Sequence, residues 1–204
     1  EQSVNRQVFE EAVENMVLMA APFAPHLAEE MWHLLAKSGF VSMRKWPEYE
    51  EEKIDLEAEE MQRLAEQTMT DVDTVLSLAR ISLPKKITVI AAPKWKFELF
   101  GILKRELQRT RDQRALINTA IAEKDVRPYA AEVAKIAQMI LKDAGKMPKV
   151  LLRREKEFEA YSVLKYRLSK KYNAKVEVLV TAAEDTGEKK AAQAMPGKPA
   201  IVVQ

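Results

Sequence analysis

"PKKITVIAAP", residues 84–93, is where the periodicity of this chain changes. Ile87, Val89 and Ile90 are β-branched and prolines bound the run on both sides, so the stretch predicts a short β-strand. Most of what precedes it follows helical spacing. Val4, Val8, Ala12, Val13, Met16, Val17 and Ala20 recur along one helix face. Pro22 closes that helix, because proline disfavours the α conformation in the residue before it. Pro25 suits the first turn of a second helix, with Leu27, Met31, Leu34 and Leu35 as its stripe and Gly39 as its left-handed cap. "FVSMRKWPEYEEEKID" (40–55) reads as a loop with Trp46 and Pro47 packed against the helices. A long helix then carries Met61, Leu64, Ala65, Thr68, Val72, Val75, Leu76 and Ala79 on one face.

Beyond the strand the chain mixes both periods. "KWKFELFGILKRELQ" (94–108) is helical with Phe97, Phe100, Leu103 and Leu107 inward, in a helix taken to run over 94–114. Pro128 opens another helix along Val133, Ile136, Ala137, Ile140 and Leu141, stopped by Gly145. "EKEFEAYSVLKYRLSKKYN" (155–173) is helical, "AKVEVLV" (174–180) and "KPAIVVQ" (198–204) are strands, and "EDTGEKKAAQA" (184–194) is a weak helix or loop. The expected fold class is α+β: a partial all-α bundle over 1–83, then a small α/β domain over 84–204 with a short mixed or parallel sheet.

Composition narrows the function. At 204 residues the chain can bury a real core, and 47% hydrophobic residues with five glycines fit a helix-rich globular protein. It has no cysteine, which excludes disulfides, zinc–thiolate sites and a thiol nucleophile, and suits a cytoplasmic location. No apolar run approaches the roughly 18 residues that cross a bilayer, so no membrane partner is expected. The start, "EQSVNRQVFEEAVENM", is amphipathic, lacks an initiator methionine, and reads as cut from something longer. The net charge of +2 conceals a division. Residues 1–83 hold 7 basic and 17 acidic residues (−10), and residues 84–204 hold 26 and 14 (+12). A basic second half fits a polyanionic partner, and it also fits a merely solvated lysine-rich surface.

Both histidines lie in "APFAPHLAEEMWHLL" (21–35), beside Glu29 and Glu30. Spacing removes them as a metal or catalytic site. His26 and His33 are seven apart, so they cannot supply the H-E-x-x-H of a zinc helix. Glu30 to His33 is half of a bundle di-iron pattern, and no third histidine exists to complete it. No nucleophile signature accompanies either histidine. No metal ligand and no catalytic residue is assigned; the expected role of His26, Glu30 and Trp32 is to lock the corner between two helices.

Taken whole, "APFAPHLAEEMWHLL" followed by Trp46-Pro47 resembles the junction in the helical anticodon-binding domain of class I aminoacyl-tRNA synthetases of the leucine, isoleucine, valine and methionine group. Pro22, Phe23, Pro25, His26, Glu29 or Glu30, Trp32, Trp46 and Pro47 match its pattern. "RPYAAEVAKIAQMILKDAGKMP" (127–148) and the run from Lys175 to Gln204 are similar to the C-terminal end of archaeal/eukaryotic-type leucyl-tRNA synthetases. The resemblance implies a parent enzyme that joins leucine to its tRNA with ATP and Mg²⁺. It also implies a C-terminal region that reaches the tRNA body and long variable arm, with tRNA and the rest of the synthetase chain as partners and no DNA. HIGH-like and KMSKS-like signatures are absent, as is any Gly-rich phosphate loop, so this stretch is expected to bind RNA without cofactors and without catalysing aminoacylation. The same region of an isoleucyl, valyl or methionyl enzyme, or a helical protein-interaction module without RNA function, are the alternatives.

Candidate RNA contacts follow from charge. Lys94, Lys96, Lys104, Arg105, Arg109, Arg111 and Arg114 recur over 94–114, where one helix could track a phosphate backbone. Trp95 could stack on a base, or pack against its own domain. Lys165, Arg167, Lys170 and Lys171 either contact RNA or complement a helix dipole. Gly197, Lys198 and the strand to Gln204 either meet the tRNA or form a plain edge strand.

Overall fold

The computed structural model describes residues 5–180 and 189–204. The expectations for Val4 and for residues 184–188 fall outside the described residues. By contacts the chain separates into a unit over 1–54 and a unit over 55–204.

In the first unit, α1 (Arg6–Ala20) begins at Asn5, whose side chain accepts from the Gln7 and Val8 amides, and ends before Pro22. α2 (Pro25–Leu34) has Pro25 in its first turn, where the missing N–H costs nothing. Its termination differs from the sequence expectation. Ala36, at φ 55°, takes the left-handed position, and the Lys37 amide reaches back to the Trp32 carbonyl at 3.2 Å. Gly39 is also left-handed, but it lies in the loop beyond. Val17, Ala28, Trp32 and Val41 form the small core of this unit.

The second unit contains α3 (Leu56–Ala79), β1 (Lys86–Ala91), α4 (Lys94–Glu106), α5 (Gln113–Ala122), α6 (Ala130–Lys142), α7 (Arg154–Tyr172), β2 (Lys175–Val180) and β3 (Ala200–Val203). The strands form one mixed sheet in the order β2-β1-β3, with β2 parallel and β3 antiparallel to β1. β1 is central, and alternation buries both of its faces. Ile87, Val89 and Ala91 pack with α3 and α7, against Leu64, Val72, Leu76, Tyr161, Leu164 and Leu168. Ile90 points the other way, among Ala92, Ala191, Ala194 and Val202. A third core joins α4, α5 and α6 through Leu99, Phe100, Leu103, Leu116, Val133, Ile136 and Ile140.

One expectation, the helix over 94–114, is corrected, and the contacts divide the chain at 54/55 where the sequence expectation divides it at 83/84. The division at 83/84 differs from the division by contacts, because the apolar stripe of α3 is covered by α7 and the sheet. Periodicity shows which face of a helix is apolar and not what buries it. Moving α3 across leaves 5 basic and 10 acidic residues in 1–54, and 28 and 21 in 55–204, so the second unit carries +7. The helix expected over 94–114 ends at Glu106. Asp112 starts α5 by accepting from the Arg114 amide at 3.0 Å, and α5 itself is absent from the sequence expectation.

Candidate nucleic-acid interface

The motif residues come first. Trp32 is 3% exposed, and its Nε1 donates to the Ser38 carbonyl at 3.3 Å. The carboxylate of this pair that binds backbone is Glu29 and not Glu30, and it ties α2 to the 41–43 turn. It accepts from the Val41 amide at 3.0 Å, the Ser42 amide at 3.3 Å and the Ser42 hydroxyl at 3.0 Å. The Val41 amide above all, with Ser42, holds the Glu29 carboxyl below its usual range. Glu30, His26, Pro22 and Pro25 are exposed, and so is Trp46; Pro47 is half-buried. The expected corner lock by His26 and Glu30 therefore fails, while Trp32 serves as expected. An E-E pair on one helix turn gives sequence reasoning no means to choose between its members. The orientation of α2 chooses, by turning Glu29 toward the amides of the 41–43 turn.

The candidate cations separate into committed and open groups. Lys96 is 3% exposed and donates to the carbonyls of Ala192 and Ala194, both at 2.7 Å. Burial pulls its pKa down to about 8, with Glu132 opposing the fall. Lys96 is thus an anchor for the segment leading to β3, and its expected RNA contact is corrected. Lys94 is bound to Asp125 at 2.9 Å and Glu98 at 3.1 Å, which raise its pKa. Lys104 donates to the Lys149 carbonyl at 2.6 Å. Lys171 is held by both oxygens of Asp73 at 2.8 Å, an acid on α3 that the expected domain division had put elsewhere. Trp95 is 8% exposed and stacked on Tyr129, with centroids 4.3 Å apart and an interplanar angle of 8°. Of its two sequence readings, the packing one holds.

Arg105, Arg109, Arg111 and Arg114 are exposed, as are Lys165, Arg167, Lys170 and Lys198. Arg109 makes a contact with Glu106 at 3.5 Å, a weak tie for a side chain 78% exposed. The arginines do not follow one helix: Arg105 closes α4, Arg109 and Arg111 lie on the connection, and Arg114 opens α5. They lie along the end of α4, the connection that follows it and the start of α5.

Lys198 sits on a tight turn that sequence reasoning did not resolve. Met195 and Lys198 exchange backbone hydrogen bonds of 2.9 and 2.8 Å, and Gly197 at φ 76° closes the turn where a side chain would be strained. The Gly197 amide donates to Glu157 at 2.8 Å, and the Tyr161 hydroxyl donates to the other Glu157 oxygen at 2.8 Å. Glu157 is 1% exposed; burial pushes its carboxyl up to about 7 against these two hydrogen bonds, and Glu60 adds to the rise. On the edge strand β2, Glu177 lies between Lys86 and Lys175, which hold its pKa down to about 2. Among the described residues no three His, Asp or Glu lie close enough to hold a metal ion, and no helix is long and apolar enough to cross a membrane.

Comparison with known proteins then places the motif. The sequence model described as the anticodon-binding domain of tRNA ligase matches residues 1–91. The match takes in the first unit, α3 and β1, so it runs past the break in contacts at 54/55. Nearly the whole chain is similar to archaeal leucine–tRNA ligases. It is 33% identical to that of Methanocaldococcus jannaschii over 98% of this chain and 20% of the relative. For Pyrococcus abyssi the figures are 29%, 98% and 19%, and for Aeropyrum pernix 31%, 94% and 19%. The chain spans about a fifth of the length of these relatives. The likeness to leucyl enzymes covers nearly the whole chain, as the resemblance in the sequence implied.

Proposed function

We propose that this chain is the tRNA-contacting C-terminal region of a leucyl-tRNA synthetase whose full length attaches leucine to its tRNA with ATP and Mg²⁺. The observation that carries the reading is similarity over 98% of the chain to leucine–tRNA ligases, when an anticodon-binding domain occupies only residues 1–91. The open cations Arg105, Arg109, Arg111 and Arg114 would meet tRNA phosphates, with Lys165, Arg167 and Lys170 as a second set. Lys198, on its pinned turn, would meet the long variable arm. Leucine activation and transfer belong to other parts of the synthetase in this reading, and ATP and Mg²⁺ are held there. Phe23 and Leu34, 86% and 85% exposed on the first unit, fit a surface covered by the rest of that chain.

A gel shift of the chain with leucine tRNA and with valine tRNA tests the assignment. Tighter binding of leucine tRNA, which carries the long variable arm, is expected. Equal affinity for the two would remove the leucine assignment, and no binding of either would remove the RNA reading.

A further inference from the structure

Away from the exposed arginines, one hollow in the second unit combines cations with aromatic rings. It measures about 380 Å³ and is lined by Lys94, Trp95, Lys124, Asp125, Tyr129 and Arg154, among others. Ligand pockets run from about 300 to 1,000 Å³, so this one has room for a single nucleotide. Its lining holds three cations and one carboxylate, and that carboxylate is already spent: Asp125 binds Lys94. Lys124 and Arg154 form no ion pair among the described residues. The Nε of Arg154 is buried and has no hydrogen-bond partner among the described residues. Arg154 as a whole is only half-buried, and a guanidinium lining the hollow is a strong, charge-assisted donor to an oxyanion.

The aromatic side of the hollow is equally specific. Trp95 is nearly buried, and Tyr129, half-buried, lies parallel to it. A base entering the hollow would extend an existing stack. α4, α6 and α7 all begin at this place, at Lys94, Ala130 and Arg154, and none of their first turns is capped by a side chain. Their amides add positive potential to that of the side chains.

We propose that this hollow takes one nucleotide of the bound RNA, its base against Tyr129 and its phosphate between Lys124 and Arg154. The inference rests on the tRNA reading above and sharpens it, because it assigns a base-sized site separate from the exposed arginines. Base–aromatic stacking of this kind changes affinity by roughly tenfold per base.

The full chain is titrated with adenosine 5′-monophosphate and, separately, with inorganic phosphate, while the Trp95 indole N–H is followed by NMR. tRNA affinity is measured alongside for the wild type, Lys124→Glu, Tyr129→Ala and Tyr129→Phe. The expected result is a saturable shift of Trp95 with the mononucleotide that Lys124→Glu abolishes. Tyr129→Ala should weaken tRNA binding roughly tenfold and Tyr129→Phe should restore it. Lys124 is exposed, so Lys124→Glu keeps the test readable if Tyr129→Ala does not fold. A shift no stronger with the mononucleotide than with phosphate overturns the nucleotide assignment. So does wild-type tRNA affinity in both Lys124→Glu and Tyr129→Ala, which would leave the tRNA reading standing. Absence of tRNA binding by the wild type would instead overturn that reading, and this inference with it.

Discussion

Replacing Glu157 by glutamine removes a buried charge while preserving its hydrogen bonds. The glutamine oxygen can accept from the Gly197 amide, and its nitrogen can donate to the Tyr161 hydroxyl, which rotates to accept. Burial raises the carboxyl from the ordinary 4.5 to about 7 in the folded protein. A folded pKa above the unfolded one means that the native state binds the proton more tightly. The associated stability is fully present below 4.5 and is lost as pH rises through 7. At 1.36 kcal/mol per unit the whole loss is about 3.4 kcal/mol, of which about 2.5 kcal/mol falls between pH 5 and pH 8. Glu157→Gln should be close to wild type at pH 5 and more stable by about 2 kcal/mol at pH 8. Urea unfolding across this range, followed by circular dichroism, gives the difference directly. Lys96 and every other titrating group shared by both proteins cancel in it. A difference that is flat with pH, or a variant less stable at pH 8 than at pH 5 relative to wild type, would refute the reasoning.

Other consequences concern single residues. Lys96→Met strands the carbonyls of Ala192 and Ala194 and should cost about 1–3 kcal/mol near neutral pH, with faster amide exchange over 191–198. The wild type should also gain stability from pH 8 to 10.5, because the folded Lys96 pKa lies below the unfolded one, and Lys96→Met should lack that gain in urea titrations. Ala36→Gly relieves a left-handed alanine and should stabilise the first unit by about 1 kcal/mol, read in the urea midpoint. Glu29→Gln should speed exchange at Val41 and Ser42 without moving amides elsewhere in the chain.

Much of this architecture was legible in the sequence, for identifiable reasons. β1 announced itself through Ile87, Val89 and Ile90 between two prolines, β2 through the alternation of Val176, Val178 and Val180, and β3 within the expected terminal strand. Pro22 and Pro25 marked the helix junction because proline constrains the backbone locally. What failed depended on contacts distant in sequence. The stripe of α3 gave no sign that α7 and the sheet would cover it. Lys96 looked like its neighbours Lys94 and Lys104 until the chain returned, almost a hundred residues later, with two carbonyls for it. The break after Glu106 did have a local signal, Asp112 as the cap of a new helix, which the regular spacing of arginines obscured. The hollow around Tyr129 had none, since Lys124, Tyr129 and Arg154 become neighbours only through folding.

The central claim, that the second unit holds tRNA through its exposed arginines, is tested most directly by the salt dependence of binding. Filter binding of tRNA to the wild type and to a variant with Arg105, Arg109 and Arg111 all replaced by alanine would be measured at several salt concentrations. Each lost phosphate contact lowers the slope of log K against log salt by about 0.7–0.9, so the account predicts weaker binding and a slope shallower by about 2–3. Equal affinity and an equal slope for the two proteins would contradict it.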